Sequence, residues 1–343
     1  MSNFGDLLFF KEHSYLRMPK VLNVEITNHC PLNCPQCYKD PRLFMHMNFE
    51  LFKNVVQQAS ELGVKRVMLN GGEPVTHPDF FSMLSLLSDY KIIPTCFTSG
   101  FGIDESFTKE LKNYDVEFML SFNGSNAETH NASRDGFDMA INVANMFHRH
   151  NYPFGVNWVA RGDNVRDFPN LVASMKKLGC VKITIVCNKA DGNYKVKSKL
   201  SKDDYDFLKF HVVGNEDFID IQNCNNIMAQ YFYNMPKSRL YGCPAGIMSM
   251  CVTVDGAFVP CPHLYFKEKF EDCKIEEYWN KSKELEKLRS NPTHTLEHCR
   301  SCKRNRYCNF CRAICVNSHS DYRIGYVDCP LYERSDHNET LKI

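Results

Sequence analysis

The sequence predicts an α/β protein: a partial (β/α)6 TIM-type barrel followed by a small, cysteine-rich C-terminal domain. Three observations carry this. Between residues 20 and 188, six short runs rich in Val, Ile and Phe alternate with five segments of helical spacing. Such alternation implies a parallel sheet with right-handed crossovers. A closed eightfold barrel needs about 250 residues, more than this run supplies, so six strands leave the barrel open on one side. From Gly242 onward the alternation stops, and ten of the chain's 17 cysteines follow.

The expected strands are 21–26, 65–69, 91–98, 115–122, 154–160 and 181–187, short runs of β-favouring residues. Helical spacing occupies 49–62, 78–90, 104–113, 136–150 and 165–178. Asn48 and Asp104 stand where N-caps belong, and Gly63 and Gly179 where helices stop. Residues 1–19 read as an N-terminal extension, 20–200 as the barrel and 201–241 as a bridging helical segment, with a helix at 199–211 opening the bridge. Residues 242–333 form the cysteine-rich domain, and 334–343 a polar tail. In parallel sheets ligands bind beyond the carboxyl ends of the strands, so the chemistry is expected in the loops that follow them.

Composition excludes several classes. Charged residues make up 24% and the formal net charge is +1, which gives no footprint for nucleic acid or a membrane surface. No stretch reaches the roughly 18 apolar residues of a membrane span, and the N-terminus lacks a signal-peptide run, so a cytoplasmic protein is expected. In a reducing compartment, closely spaced cysteines usually bind metal rather than pair. Cys96, Cys180 and Cys187, each in an apolar strand, read instead as buried thiols.

Directly after the first strand comes Cys30-Pro-Leu-Asn-Cys34-Pro-Gln-Cys37-Tyr38. Three soft ligands suit zinc, copper(I) or an iron–sulfur cluster. Closed sites want four ligands, and no fourth Cys lies nearby. Three cysteines would leave one iron open to a substrate. This Cys-x3-Cys-x2-Cys spacing resembles the radical S-adenosylmethionine (SAM) superfamily. The resemblance implies a 4Fe–4S cluster whose open iron chelates SAM and cleaves it reductively, giving a 5′-deoxyadenosyl radical that abstracts hydrogen. Gln36 departs from the aromatic residue usual there, and Tyr38 is expected to take over some of its packing.

Further segments extend the resemblance. Asn70-Gly71-Gly72-Glu73-Pro74 ends the second strand and matches the family's Gly-Gly-Glu motif, which binds the SAM amino group. Ser121-Phe122-Asn123-Gly124 ends the fourth strand and resembles Ser-x-Asp-Gly, with Asn123 in place of the usual Asp. Arg134, four residues after His130, is implied to bind the SAM carboxylate, the alternative being a surface Arg that caps a helix. Asn157 in the fifth strand contacts SAM on the same reading, or is a satisfied core amide.

The C-terminal cysteines resemble the SPASM extension of radical SAM enzymes. Cys243, Gly256, Cys261, then Cys299-x2-Cys302-x5-Cys308-x2-Cys311, and finally Cys329 carry that pattern. The family's connectivity implies two further 4Fe–4S clusters, three in all. One would take Cys243, Cys251, Cys261 and Cys311, the other Cys299, Cys302, Cys308 and Cys329. The Cys308–Cys311 step is one residue short, which leaves Cys315 open as the ligand; the family's local sequence favours Cys311. Asp255-Gly256 predicts a two-residue hairpin that sets Cys251 opposite Pro260. An ideal ladder then puts Cys251 and Cys261 on opposite faces. Cys273 reads as a spare. Two zinc sites are the alternative.

SPASM enzymes mostly modify ribosomally made peptides, and some act on small molecules. The expectation is therefore hydrogen abstraction from a peptide, giving a crosslink or an oxidised side chain. With about 20 residues before the first strand, either a separate peptide-recognition protein delivers the substrate or the substrate is small. A flavodoxin- or ferredoxin-type donor is expected to supply the electron. A redox-neutral epimerase would need a hydrogen donor, for which Cys187 is the candidate thiol. His263 stands next to Pro262, where relatives place an acidic base, and becomes the candidate general base. It could instead cap a turn or pack on Tyr265. The rival from another class is a non-enzymatic zinc-binding interaction protein.

Overall fold

The computed structural model describes residues 15–39, 44–189, 199–222, 226–233, 242–305, 308–319 and 321–334. Most of the expected extension and tail, parts of the bridge, and Cys224 lie outside the described residues.

Strands β1 (Val21–Thr27), β2 (Arg66–Gly71), β3 (Ile93–Thr98), β4 (Glu117–Ser121), β5 (Phe154–Ala160) and β6 (Lys182–Cys187) occupy the six expected positions. They neighbour one another in chain order, every pair parallel. The crossovers are α1 (Phe49–Glu61), α2 (Phe80–Asp89), α3 (Glu105–Leu111), α4 (Ala127–Asn131) with α5 (Phe137–Arg149), and α6 (Phe168–Lys177). At five residues α4 is too short for a periodic signal. In α1 the Asn48 side chain accepts from the N–H groups of Glu50 and Leu51, a cap whose loss costs about 1 kcal/mol. Phe52, Val55, Val56 and Ala59 form its buried face, and Gly63 ends it at φ +74°.

Strand alternation divides the sheet into two environments. Leu22, Val24 and Ile26, with Val156, Trp158, Ile183 and Ile185, join the apolar core under the helices. The intervening residues face the other way, so Asn23, Glu25, Thr27, Asn70, Thr95, Ser121, Asn157 and Thr184 line a polar lumen. Arg66 closes its amino-terminal end, donating to Thr95 Oγ1 (2.7 Å) and Glu117 Oε2 (2.6 Å).

Three more strands extend the sheet. In the bridge, α7 (Lys202–Val212) leads to β7 (Ile219–Ile221), parallel to β6, and is followed by α8 (Asn226–Tyr233). At the opposite edge β8 (Ser249–Val252) pairs parallel with β1, Asn23 beside Cys251. Strand β9 (Phe258–Val259) turns back antiparallel. The cysteine-rich region is thus stitched to the barrel through a strand of its own, before α9 (Ile275–Lys281), α10 (Lys283–Ser290) and α11 (Arg312–His319).

The β8–β9 hairpin differs from expectation by one residue. Cys251 faces Val259, not Pro260. Thr253 N–H donates to Ala257 O (2.8 Å) and Gly256 adopts φ +77°, which makes a three-residue loop with a left-handed glycine rather than a two-residue turn. The slip removes the face argument: the ladder ends at Val259, so strand parity does not reach Cys261.

Candidate active site and cysteine clusters

Cys30, Cys34 and Cys37 lie half-buried on the loop after β1. Burial, with the nearby Glu73 carboxylate and the other two thiols, pushes Cys30 up to about 12. Three segments hold this loop. Gly72 N–H donates to Thr27 O (2.7 Å) and Glu73 N–H to His29 O (2.8 Å). A Cβ on Gly71 or Gly72 would stand 2.1 Å from those two carbonyl oxygens respectively. The glycines are therefore required by close approach to the cysteine loop's own backbone. The residues after α4 supply the second brace: Gln36 N–H donates to Ser133 O (3.1 Å), and Asn33 N–H to the Asp135 carboxylate (2.8 Å). Thirdly, the two departures from the family pattern meet each other, because the Asn123 and Gln36 amides hydrogen-bond at 2.9 Å. Ser133 bonds both Asn123 and the buried guanidinium of Arg161.

Glu73 is fully buried and accepts from Thr98 Oγ1 (2.6 Å), Ser99 N–H (2.8 Å) and Ser99 Oγ (2.5 Å). Burial raises its pKa, opposed by those bonds and by Arg134. Three of about four lone-pair positions are filled, so its carboxylate chiefly ties β2 to β3. Arg134 is half-buried, and its charge acts on both Cys34 and Glu73. Its Nε is buried with no protein partner, a donor that fits a ligand carboxylate. His130 is a core residue edge-on to Phe122 and Phe137. Burial and Arg134 lower its pKa to about 4. Ser121 and Asn157 are register partners facing the lumen.

The C-terminal thiols gather from distant parts of the chain. The Cys243 and Cys311 thiols hydrogen-bond each other with Cys261 nearby, and Cys251 in turn lies near Cys261. Cys299, Cys302, Cys308 and Cys329 line one cavity of about 280 Å³. Cys315 packs instead with Cys299, Phe310 and Tyr322. Cys273 hydrogen-bonds Gly256 O (3.4 Å), apart from both groups. Cys187, 8% exposed, packs among Cys243, Leu264 and Cys311. Among the described residues no three His, Cys, Asp or Glu side chains stand at single-ion geometry; a cluster binds its cysteines at separate irons.

The donor set fits iron–sulfur chemistry in a second way. Backbone N–H groups point at the sulfurs: Leu32 at Cys30, Asp135 at Cys34 and Lys39 at Cys37. The same holds for Ala245 at Cys243, His263 at Cys261, Phe310 at Cys308, Leu331 at Cys329 and Tyr326 at Cys299. Such donors stabilise bound thiolates and tune clusters.

Two contacts flank the first cysteine loop. The Tyr38 and His263 rings lie 4.3 Å apart, so His263 packs on the first cysteine loop. Lys39 Nζ lies 2.5 Å from Glu25 Oε1, with side chains 10% and 0% exposed. Sequence reasoning missed Glu25 and Lys39, together with Gln36's partner role and Ser133, Asp135 and Arg161. A lone Glu inside the apolar run Val-Leu-Asn-Val-Glu-Ile-Thr was the available signal for the first.

Comparison with known proteins agrees with this geometry. Residues 24–175 match the family model described as Radical SAM superfamily, so the barrel is a radical SAM domain. The protein is an enzyme with a radical SAM domain, and that family implies a 4Fe–4S cluster with SAM as the cofactor pair. A PqqA peptide cyclase of Gluconobacter oxydans (strain 621H) is 26% identical over 302 residues, 83% of each chain. An AdoMet-dependent heme synthase of Methanosarcina barkeri (strain Fusaro / DSM 804) is 22% identical, covering 89% of this chain and 94% of that protein. Streptococcus suis SuiB, solved bound to S-adenosylmethionine, shares the fold with a TM-score of 0.76 at 19% identity, over 93% of this chain and 79% of its own. SuiB has also been solved bound to its precursor peptide SuiA. Among the described residues no helix is long and apolar enough to cross a membrane.

Proposed function

We propose that this enzyme modifies a ribosomally made peptide by hydrogen abstraction, forming a crosslink or an oxidised side chain, and that it carries two auxiliary 4Fe–4S clusters. The observation that carries the reading is the gathering of thiols in two places: Cys243 with Cys311 and Cys261, Cys251 near Cys261, and Cys299, Cys302, Cys308 and Cys329 around one cavity. When bound, the first cluster and SAM supply a hydrogen-abstracting radical. The chain's own residues do the rest. Cys30, Cys34 and Cys37 would hold that cluster, Arg134 the SAM carboxylate, and Ser121, Asn157 and Tyr38 would line the SAM site. His263, whose ring lies tilted against that of Tyr38, would take a proton from the substrate. Cys187 packs with Cys243 and Cys311, which favours an oxidative reaction over an epimerase that needs a free thiol.

Relatives named for peptide cyclisation and a neighbour solved with its peptide support the peptide substrate. A separate recognition protein for that peptide belongs to the same proposal. So does a flavodoxin- or ferredoxin-type donor, for which Pro31, Asn33 and Pro35 present an exposed apex on the first loop. The test is co-expression with candidate precursor peptides, beginning with any short reading frame that lies beside this gene. Mass spectrometry should show loss of a pair of hydrogens per crosslink; an unmodified peptide alongside active SAM cleavage would contradict it. A small-molecule substrate is the second reading, favoured by the match to the heme synthase over nearly its whole length.

A further inference from the structure

Glu25 sits in the middle of β1 with no exposed surface, yet it is a carboxylate. It faces the lumen two residues beyond Asn23, and Asn23 pairs directly with Cys251. Both residues therefore line one face, with Glu25 diagonal to the thiol. Its counter-charge comes from the other direction: Lys39, two residues past Cys37, reaches across to Glu25 Oε1 (2.5 Å). The ammonium also lies 5.3 Å from the Tyr38 ring centroid and 5.5 Å from that of Tyr265. The pair thus spans the gap between the first cysteine loop and the Cys251 group.

A buried ion pair is weak evidence for stability, because desolvation offsets the attraction. Its position suggests another use. We propose that Glu25 and Lys39 are positioning residues whose opposed charges set the electron affinity of an auxiliary cluster held by Cys251. This rests on the two-auxiliary-cluster reading above. An added electron makes a cluster more negative, so a nearby cation favours reduction and a nearby anion opposes it. In a dry setting these effects are screened little by salt. The pair keeps them balanced, and removing either member should unbalance them with opposite sign.

The experiment is a potentiometric titration of the anaerobically reconstituted full chain, followed by electron paramagnetic resonance. Cys251→Ser identifies the signal that belongs to this cluster. Glu25→Gln should make that cluster easier to reduce and Lys39→Met harder. The double variant should return towards wild type, and Lys39→Arg should resemble wild type because it keeps the charge. Iron per chain, measured on each sample, guards against misfolding; the double variant and Lys39→Arg keep the test alive if a single neutralisation fails to fold. Shifts absent from both single variants, or of the same sign in both, at full iron content overturn the proposal. A wild type holding only one cluster would overturn the auxiliary-cluster reading itself, a distinct result.

Discussion

The two cysteine regions of this protein are built on opposite plans. The first places three thiols within eight residues on one loop, half-exposed, and braces that loop from outside through Thr27, Ser133 and Asp135. The second draws thiols from positions as far apart as Cys243 and Cys311, and Cys243, Cys251, Cys299 and Cys311 are buried. An open site must leave a metal position for a substrate, so it is local, accessible and short of one ligand. A closed site must exclude other ligands, so it needs four thiols and long-range folding. The comparison teaches how ligand spacing and burial divide the thiols; on the proposed reading the open loop is the reactive site and the closed groups handle electrons.

The comparison is broken most severely at the open loop. Replacing Cys30, Cys34 and Cys37 together with Ala should abolish 5′-deoxyadenosine formation after reduction; product at the wild-type level would remove the loop from the chemistry. At the contact between the regions, His263→Gln should leave SAM cleavage intact while substrate conversion falls by about 10²–10⁴, the range for losing a general base. Wild-type turnover would reduce His263 to a packing partner of Tyr38.

A smaller effect separates the SAM-binding role of Arg134 from a surface one. Arg134→Ala should weaken SAM binding by about tenfold to a hundredfold, as expected for losing a charged hydrogen bond of roughly 1.5–3 kcal/mol. Iron content should not change, and calorimetric titration with SAM reads the difference.

A change in stability rather than in activity is expected at His130. His130 is held neutral, its pKa lowered from 6.5 to about 4. The unfolded chain therefore binds more protons between those values, and stability is full above pH 6.5 and falls as pH drops towards 4. The loss from this group is about 3 kcal/mol at most, at 1.36 kcal/mol per pKa unit. His130→Gln should flatten the acid limb of a denaturation series between pH 6.5 and 4; an unchanged limb would mean that other groups dominate.

Much of this was legible in the sequence because its signals are local. Six strands, the caps at Asn48 and Asp104, the stops at Gly63 and Gly179, and the first cysteine loop each announce themselves within a few residues. The choice of Cys311 over Cys315 came from the resemblance, and the structure sets Cys311 beside Cys243. What stayed hidden depends on distant partners. Nothing local says that β8 will join β1, or that β7 will extend the other edge. The hairpin register turned on whether Gly256 ends a two- or a three-residue loop, and both accept Asp-Gly. The Gly71 and Gly72 requirement is visible, but its cause, the carbonyls of Thr27 and His29, is not. The pairing of Gln36 with Asn123 spans 87 residues, so each looked like an isolated departure from a pattern.

The proposed separation of one open site from two closed ones is tested most directly by counting iron in the Cys30, Cys34 and Cys37 triple Ala variant after anaerobic reconstitution. Wild type should hold about twelve irons per chain and the variant about eight, since each 4Fe–4S cluster has its own cysteines. A variant holding no iron, or zinc in its place, would contradict the account.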